Sequence, residues 1–248
     1  MKLDNLESLY NQYGRKSSGA LAPDDQHILK EGLDAIKAIK DETEAKKFLQ
    51  LLALLRKSEV KSIEGLGVSA METITGAFAG GDEGVYAADT DLMNARFIFE
   101  LVQNVDDCSY KTVDNCTLEI QFDIAANVIR LEYNELGFQP ENVIAITGLG
   151  NSTKNHSKAR NIKSEKKIDQ SDLQEIGEKG IGFKSIFGLA KRVKITSQYF
   201  CFTIDRDSFF VPVVDDYTNI TYTDGTVLEL TLDEGMVEEL FDFLQRKY

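Results

Sequence analysis

FELVQNVDD, residues 99–107, places Glu100, Asn104 and Asp107 four and then three residues apart. A helix through this stretch carries a carboxylate, an amide and a second carboxylate along one face. Asp91 can cap the start of that helix. Its apolar positions Leu92, Ala95, Ile98, Phe99, Leu101 and Val102 are expected to face a core as far as about Cys108. Polar triplets of this kind are also common on solvated helix faces, so the triplet gains meaning only from what surrounds it.

Downstream, TLEIQFDI at 117–124 and NVIRLEY at 127–133 alternate apolar and polar residues across a short Ala-Ala link, the pattern of a hairpin. A helix follows from Pro140 through Val143, Ile144 and Ile146, and the chain then enters GLGNSTK at 148–154. Residues 155–175 are dense in Lys, Asn, Ser and Asp, which suits a surface lid rather than a core element. Beyond GEKGIGFKSIFGLA at 177–190 come strand-like RVKITSQYFCFTID, a short strand near FFVPVV, DGTVLELTLDE and a closing helix to Tyr248. Intermixed helices and antiparallel strands give an α+β class.

Upstream lies a helical leader. Leu3, Leu6, Leu9 and Tyr10 recur at helix spacing, and a polar GRKSSGALAPDD stretch interrupts them. Pro23, Asp24 and Asp25 then open a long amphipathic pattern through Ile28, Leu29, Leu33, Ile36, Ile39, Phe48, Leu51, Leu52 and Leu55. The small, flexible residues of TGAFAGGDEGVYAADT at 75–90 separate the leader from the rest. The expected division is a leader over 1–80 and a second domain over 81–248.

GEKGIGFKS, residues 177–185, is the second constellation. Gly177, Gly180 and Gly182 allow backbone N–H groups to converge on an anion, and a helix beginning at their end adds its positive dipole terminus. Two better-known glycine motifs fail here. A P-loop needs lysine directly after its last glycine, but Phe183 stands between Gly182 and Lys184. A dinucleotide fingerprint needs glycine where Ser185 stands. A glycine-rich packing turn is the plain alternative.

Composition limits the function classes. A chain of 248 residues with 42% hydrophobic content can bury one sizeable core, with room for a small appendage. Its 28 Lys plus Arg against 41 Asp plus Glu leave a formal charge of -13, which opposes nucleic acid and anionic lipid as partners. Cys108, Cys116 and Cys201 form no CxxC pair, so neither a disulfide framework nor a zinc site is indicated. The N-terminus lacks an apolar signal segment, and no uncharged apolar run is long enough to span a membrane. The expected location is intracellular, in cytoplasm or nucleus.

Taken in order, the pieces carry a resemblance. Glu100-x-x-x-Asn104-x-x-Asp107, a strand end with Gly137, Gly148 with Ser152, Thr153 and Lys154, then GEKGIGFKS, then Gly225-Thr226, resemble the ordered boxes of the GHKL (Bergerat-fold) ATPases, the histidine kinase-like ATPase superfamily. The resemblance covers roughly residues 91–232 and leaves the leader unexplained. YNELGF, GLGNSTK and IGEKGIGFKSIF together are most similar to the ATPase modules of the sacsin and NO VEIN group.

That resemblance implies a two-layer α/β sandwich, the Bergerat or GHKL ATPase fold, behind an N-terminal helical segment, with a lid around 148–182. It implies ATP and Mg2+ as cofactors. Glu100 would be the general base that activates water, Asn104 the magnesium ligand, and Asp107 a support for the adenine and ribose end. Gly177, Gly180, Ile181, Gly182 and Phe183 would wrap the polyphosphate, with Ser152, Thr153 and Lys154 at the near end of the lid. Thr226 would reach the adenine region.

The adenine-reading box departs from the family pattern of an aspartate followed by two spaced glycines. Here Tyr133-Asn134-Glu135-Leu136-Gly137-Phe138 offers Asn134 or Glu135 as the acceptor and keeps one glycine, Gly137. The implied function is magnesium-dependent ATP binding and slow hydrolysis coupled to lid closure or homodimerisation, in the N-terminal part of a larger protein with an unnamed protein client. The alternative is a non-catalytic nucleotide switch or interaction module with a degenerate pocket. A histidine kinase fits poorly, because DDQHILKEG around His27 lacks a phosphoacceptor pattern and His156 is the only other histidine.

Overall fold

The computed structural model describes residues 3–14, 21–64, 90–110, 116–148, 183, 186–208, 211–216 and 225–247. The sequence patterns become helices α1 (Glu7–Tyr13), α2 (Pro23–Asp34), α3 (Glu42–Glu64), α4 (Thr90–Asp106), α5 (Pro140–Thr147) and α6 (Met236–Lys247). The strands are β1 (Leu118–Asp123), β2 (Val128–Tyr133), β3 (Ala190–Ser197), β4 (Phe200–Asp205), β5 (Val213–Val214) and β6 (Thr226–Leu232). They form one sheet in the order β1-β2-β6-β3-β4-β5, with every neighbouring pair antiparallel.

Strand alternation gives the sheet two unlike faces. Register pairs Ile129 with Leu230, Leu131 with Leu228, Val193 with Leu230, and Ile195 with Phe202, so these buried side chains share one face. The opposite face carries charge pairs. Arg192 bonds Asp205 directly across the strands at 2.7 Å, Lys194 lies 3.5 Å from Glu229, and Arg130 meets Glu132 at 2.6 Å. Helices cover the apolar face: Phe48 of α3 meets Phe200 edge-on at 5.8 Å, and Phe241 of α6 meets Phe122 at 5.7 Å. The result is the expected two-layer α/β sandwich.

The leader contributes to the same hydrophobic cluster as the sheet. Phe48, Leu49 and Leu52 of α3 are wholly buried within it. The start of α3 is fixed locally: Asp41 accepts the Glu44 amide at 2.9 Å, and the Glu44 carboxylate reaches back to the Lys40 amide at 3.0 Å.

Two sequence expectations are corrected. Phe99 and Val102 do not face the core; they are 65% and 44% exposed, whereas Leu101 is buried as expected and Phe97 and Val105 are buried with it. At about 100° per residue, that buried stripe runs beside the Glu100–Asn104–Asp107 stripe, and Phe99 and Val102 fall on the far side. RVKITSQYFCFTID is not one strand but the hairpin β3–β4, turning at Gln198 and Tyr199.

Candidate functional site

Between α4 and the apolar face of the sheet lies a cavity of about 310 Å³. Helix α4 supplies Glu100, Gln103 and Asn104 to one wall, and Asp107 directly after it adds to the same wall at the spacing that the helical period requires. The facing walls are mostly apolar and aromatic, Asn142 of α5 apart: Tyr133 ends β2, Leu228 lies on β6, Phe138 follows Gly137, and Ile146 comes from α5. Phe183, from the end of the glycine-rich stretch, closes a side and packs edge-on against Phe187 at 6.4 Å.

Polarity is concentrated on the α4 wall. The amide nitrogen of Asn104 is buried with no hydrogen-bond partner among the described residues. Such a group costs stability unless something meets it, on the order of 1–3 kcal/mol. Cys108 lines the same cavity one turn on, its thiol 3.1 Å from the Asn104 carbonyl. Burial pushes the Tyr133 phenol well above its usual range, with the nearby Glu135 carboxyl adding to the shift. Burial likewise raises the phenol of Tyr110, which donates to the Val105 carbonyl at 2.7 Å. Both phenols therefore stay neutral.

The segment after β2 is held from behind by the β3–β4 turn. Ser197 Oγ accepts the Phe138 amide at 2.8 Å and lies 2.6 Å from the Thr226 hydroxyl, all in buried surroundings. Gln198 donates to the Leu136 carbonyl, and Gln139 donates to Gln198 at 3.4 Å. Gly137 adopts φ +83, and a Cβ there would stand 2.5 Å from Gln198 Cγ, so both conformation and space demand glycine. Asn142, three residues into the next turn, accepts the Gln139 amide at 2.8 Å and also borders the cavity.

The structure thus brings together Glu100, Asn104, Asp107 and Phe183. Among the described lining residues, Asn134, Glu135, Gly137 and Thr226 are not found. Asn134 accepts the Thr117 amide at 2.8 Å, Glu135 is buried beside Tyr110 in a bridge between the two backbones, and Thr226 is fully buried against Ser197. Ser152, Thr153, Lys154, Gly177, Gly180, Ile181 and Gly182 lie outside the described residues. The sequence reading did not single out Gln103, Cys108, Tyr133, Phe138, Asn142, Ile146 or Leu228. Strand alternation marks Tyr133 and Leu228, and the i, i+3 step from Glu100 marks Gln103. The i, i+4 step from Asn104 marks Cys108 in the same way, and nothing local marks Phe138, Asn142 or Ile146.

No described helix is long and apolar enough to cross a membrane. No protein-family model matches the chain. Over 112 residues, 45% of its length, the chain is 38% identical to Protein NO VEIN of Arabidopsis thaliana, and the match spans 4% of that protein. The chain is therefore similar, over part of its length, to a small part of a much larger plant protein.

Proposed function

We propose that the chain binds ATP with magnesium in this cavity and hydrolyses it slowly, as the GHKL ATPases it resembles do. One observation carries the reading: Glu100, Asn104 and Asp107 stand, with Gln103, along one wall of a cavity whose other walls are mostly aromatic and aliphatic. Small-ligand sites have this character, with few polar groups set in an apolar surround. The partial likeness to Protein NO VEIN agrees with the resemblance to the sacsin and NO VEIN group.

The residues fit a nucleotide-borne magnesium. Among the described residues no group of three or more His, Cys, Asp or Glu forms a metal site. A magnesium ion that arrives with phosphate and water oxygens needs only one or two protein oxygens. Asn104 can give its amide oxygen to the ion and its amide nitrogen, which has no partner among the described residues, to a phosphate or water oxygen. Bound magnesium would neutralise charge on the polyphosphate. Glu100, one turn before Asn104, can take a proton from water at its carboxylate. Tyr133, Phe138 and Ile146 give a base apolar surface and exclude water.

A second reading, a nucleotide switch without turnover, is favoured by the NELGF segment, where the Asn134 oxygen already accepts the Thr117 amide. Calorimetric titration of ATP with magnesium, followed by a phosphate-release assay, separates the two. The expected outcome is saturable binding that Asn104→Ala weakens by on the order of tenfold or more, and turnover that Glu100→Ala abolishes without loss of affinity. Binding without turnover in the wild type selects the switch. A folded chain that does not bind sinks both. Nucleotide-dependent homodimerisation belongs to the same proposal and is read from the oligomeric state with and without ATP.

A further inference from the structure

Arg56 of the leader is nearly inaccessible, its side chain 6% exposed, and it is spent on a helix far along the chain. Its Nη2 donates to the Ile144 carbonyl at 2.8 Å and its Nε to the Thr147 hydroxyl at 3.3 Å. Its Nη1 pairs with Glu59 on its own helix at 2.7 Å. Thr147 in turn donates to the Val143 carbonyl at 2.8 Å. The guanidinium thus engages the Ile144 carbonyl in the last turn of α5 directly and the Val143 carbonyl, just before that turn, through one hydroxyl.

That turn is where an α-helix has carbonyls without intrahelical partners and where its dipole favours a cation. Glu59 compensates the buried charge, so the arrangement is closed rather than strained. Directly beyond, the backbone at Gly148 is extended, and a Cβ there would stand 3.5 Å from Arg56 Nη2. The chain leaves α5 past the guanidinium. The same eight-residue helix gives Asn142 and Ile146 to the cavity.

We propose that Arg56 is a positioning residue for the cavity: from the leader, it fixes the last turn of α5, hence the wall Ile146 provides and the direction in which the chain leaves at Gly148. The inference rests on the ATP-binding reading of that cavity. It also gives the leader a role that the resemblance leaves blank. Arginine suits the task because its planar fork serves a carbonyl, a hydroxyl and a carboxylate at once, whereas a lysine ammonium offers one point.

The test compares full-length Arg56→Met, Arg56→Lys and Leu6→Ala, the last a truncation in the leader core, with the wild type. Backbone hydrogen exchange at 143–148 is read without ligand, and ATP affinity is read with magnesium by calorimetry. Arg56→Met is expected to speed exchange in that turn about tenfold relative to β6. It is also expected to weaken ATP about tenfold. Arg56→Lys is expected to recover part of both, and Leu6→Ala to lower the unfolding midpoint and change neither.

Unchanged exchange at 143–148 in Arg56→Met overturns the proposal, as does a loss of affinity no larger than that of Leu6→Ala at a matched midpoint. If Arg56→Met does not fold, Arg56→Lys against wild type gives the same comparison. A wild-type chain that binds no ATP sinks the nucleotide reading alone, while exchange at 143–148 still decides whether Arg56 fixes that wall.

Discussion

Helices α3 and α4 are both long and amphipathic, yet they are used in opposite ways. On α3, Phe48, Leu49, Leu51, Leu52, Leu54 and Leu55 are all buried, and its 23 residues are gripped on several sides. On the described part of α4, only Phe97, Leu101 and Val105 are buried, in a single stripe. Beside that stripe stands the polar wall of the cavity, with an amide nitrogen that nothing in the described structure meets. Along its described side chains, the helix that carries candidate chemistry is the less buried of the two. Sites that must hold polar groups away from water are stabilised elsewhere in the fold, and here α3 with the sheet supplies that support.

The largest expected effect sharpens this contrast. Leu52 and Leu101 are equally hidden, but Leu101 borders an existing cavity whereas Leu52 is enclosed. Leu52→Ala leaves a dry void and is expected to cost about 3–4 kcal/mol, near the middle of the usual range for such truncations. Leu101→Ala enlarges an existing cavity rather than opening a new one, so its expected cost is nearer the transfer value of about 2 kcal/mol. Denaturant unfolding of both variants measures the difference. Equal costs would mean that α4 is as tightly held as α3.

A smaller and opposite effect is expected at Asn104. Replacing its amide with an apolar side chain of similar size, Asn104→Leu, removes a buried donor that has no partner among the described residues, so stability is expected to hold or to rise by up to about 1 kcal/mol. ATP binding is expected to disappear in the same variant. A drop of more than about 2 kcal/mol in unfolding free energy would show that the amide serves the fold, and the assignment of Asn104 to a ligand would fail.

Much of this was legible in the sequence, for physical reasons that differ by element. The hairpin read at 117–133 is observed at 118–133 because period-2 alternation and a short turn suffice to define it. The β3–β4 turn was not legible, because Gln198 and Tyr199 carry none of the usual turn chemistry. Gln198 takes φ +48 regardless, and its side chain is tied to Leu136 and Gln139, so contacts far along the chain stand in for glycine or asparagine. The polar triplet on α4 was legible from spacing alone. Its surroundings were not, since Phe138 and Ile146 reach the cavity through tertiary packing and Arg56 meets α5 across about ninety residues of sequence.

The choice of buried stripe on α4 rests on the smallest expected effect. Apolar residues stand at 97, 98, 99, 101, 102 and 105, more than half of the way round, so periodicity cannot tell which part of that arc is buried. The fold resolves it by setting Phe97, Leu101 and Val105 inward, which leaves Phe99 in water. Phe99→Ser is therefore expected to change unfolding free energy by no more than about 0.5 kcal/mol, as surface substitutions do, and to leave ATP affinity unchanged. A buried phenylalanine truncated this far would cost about 3 kcal/mol or more. A loss of that size would turn α4 on its axis and carry Glu100, Asn104 and Asp107 away from the cavity wall. One equilibrium unfolding curve thus tests the orientation on which the whole polar wall depends.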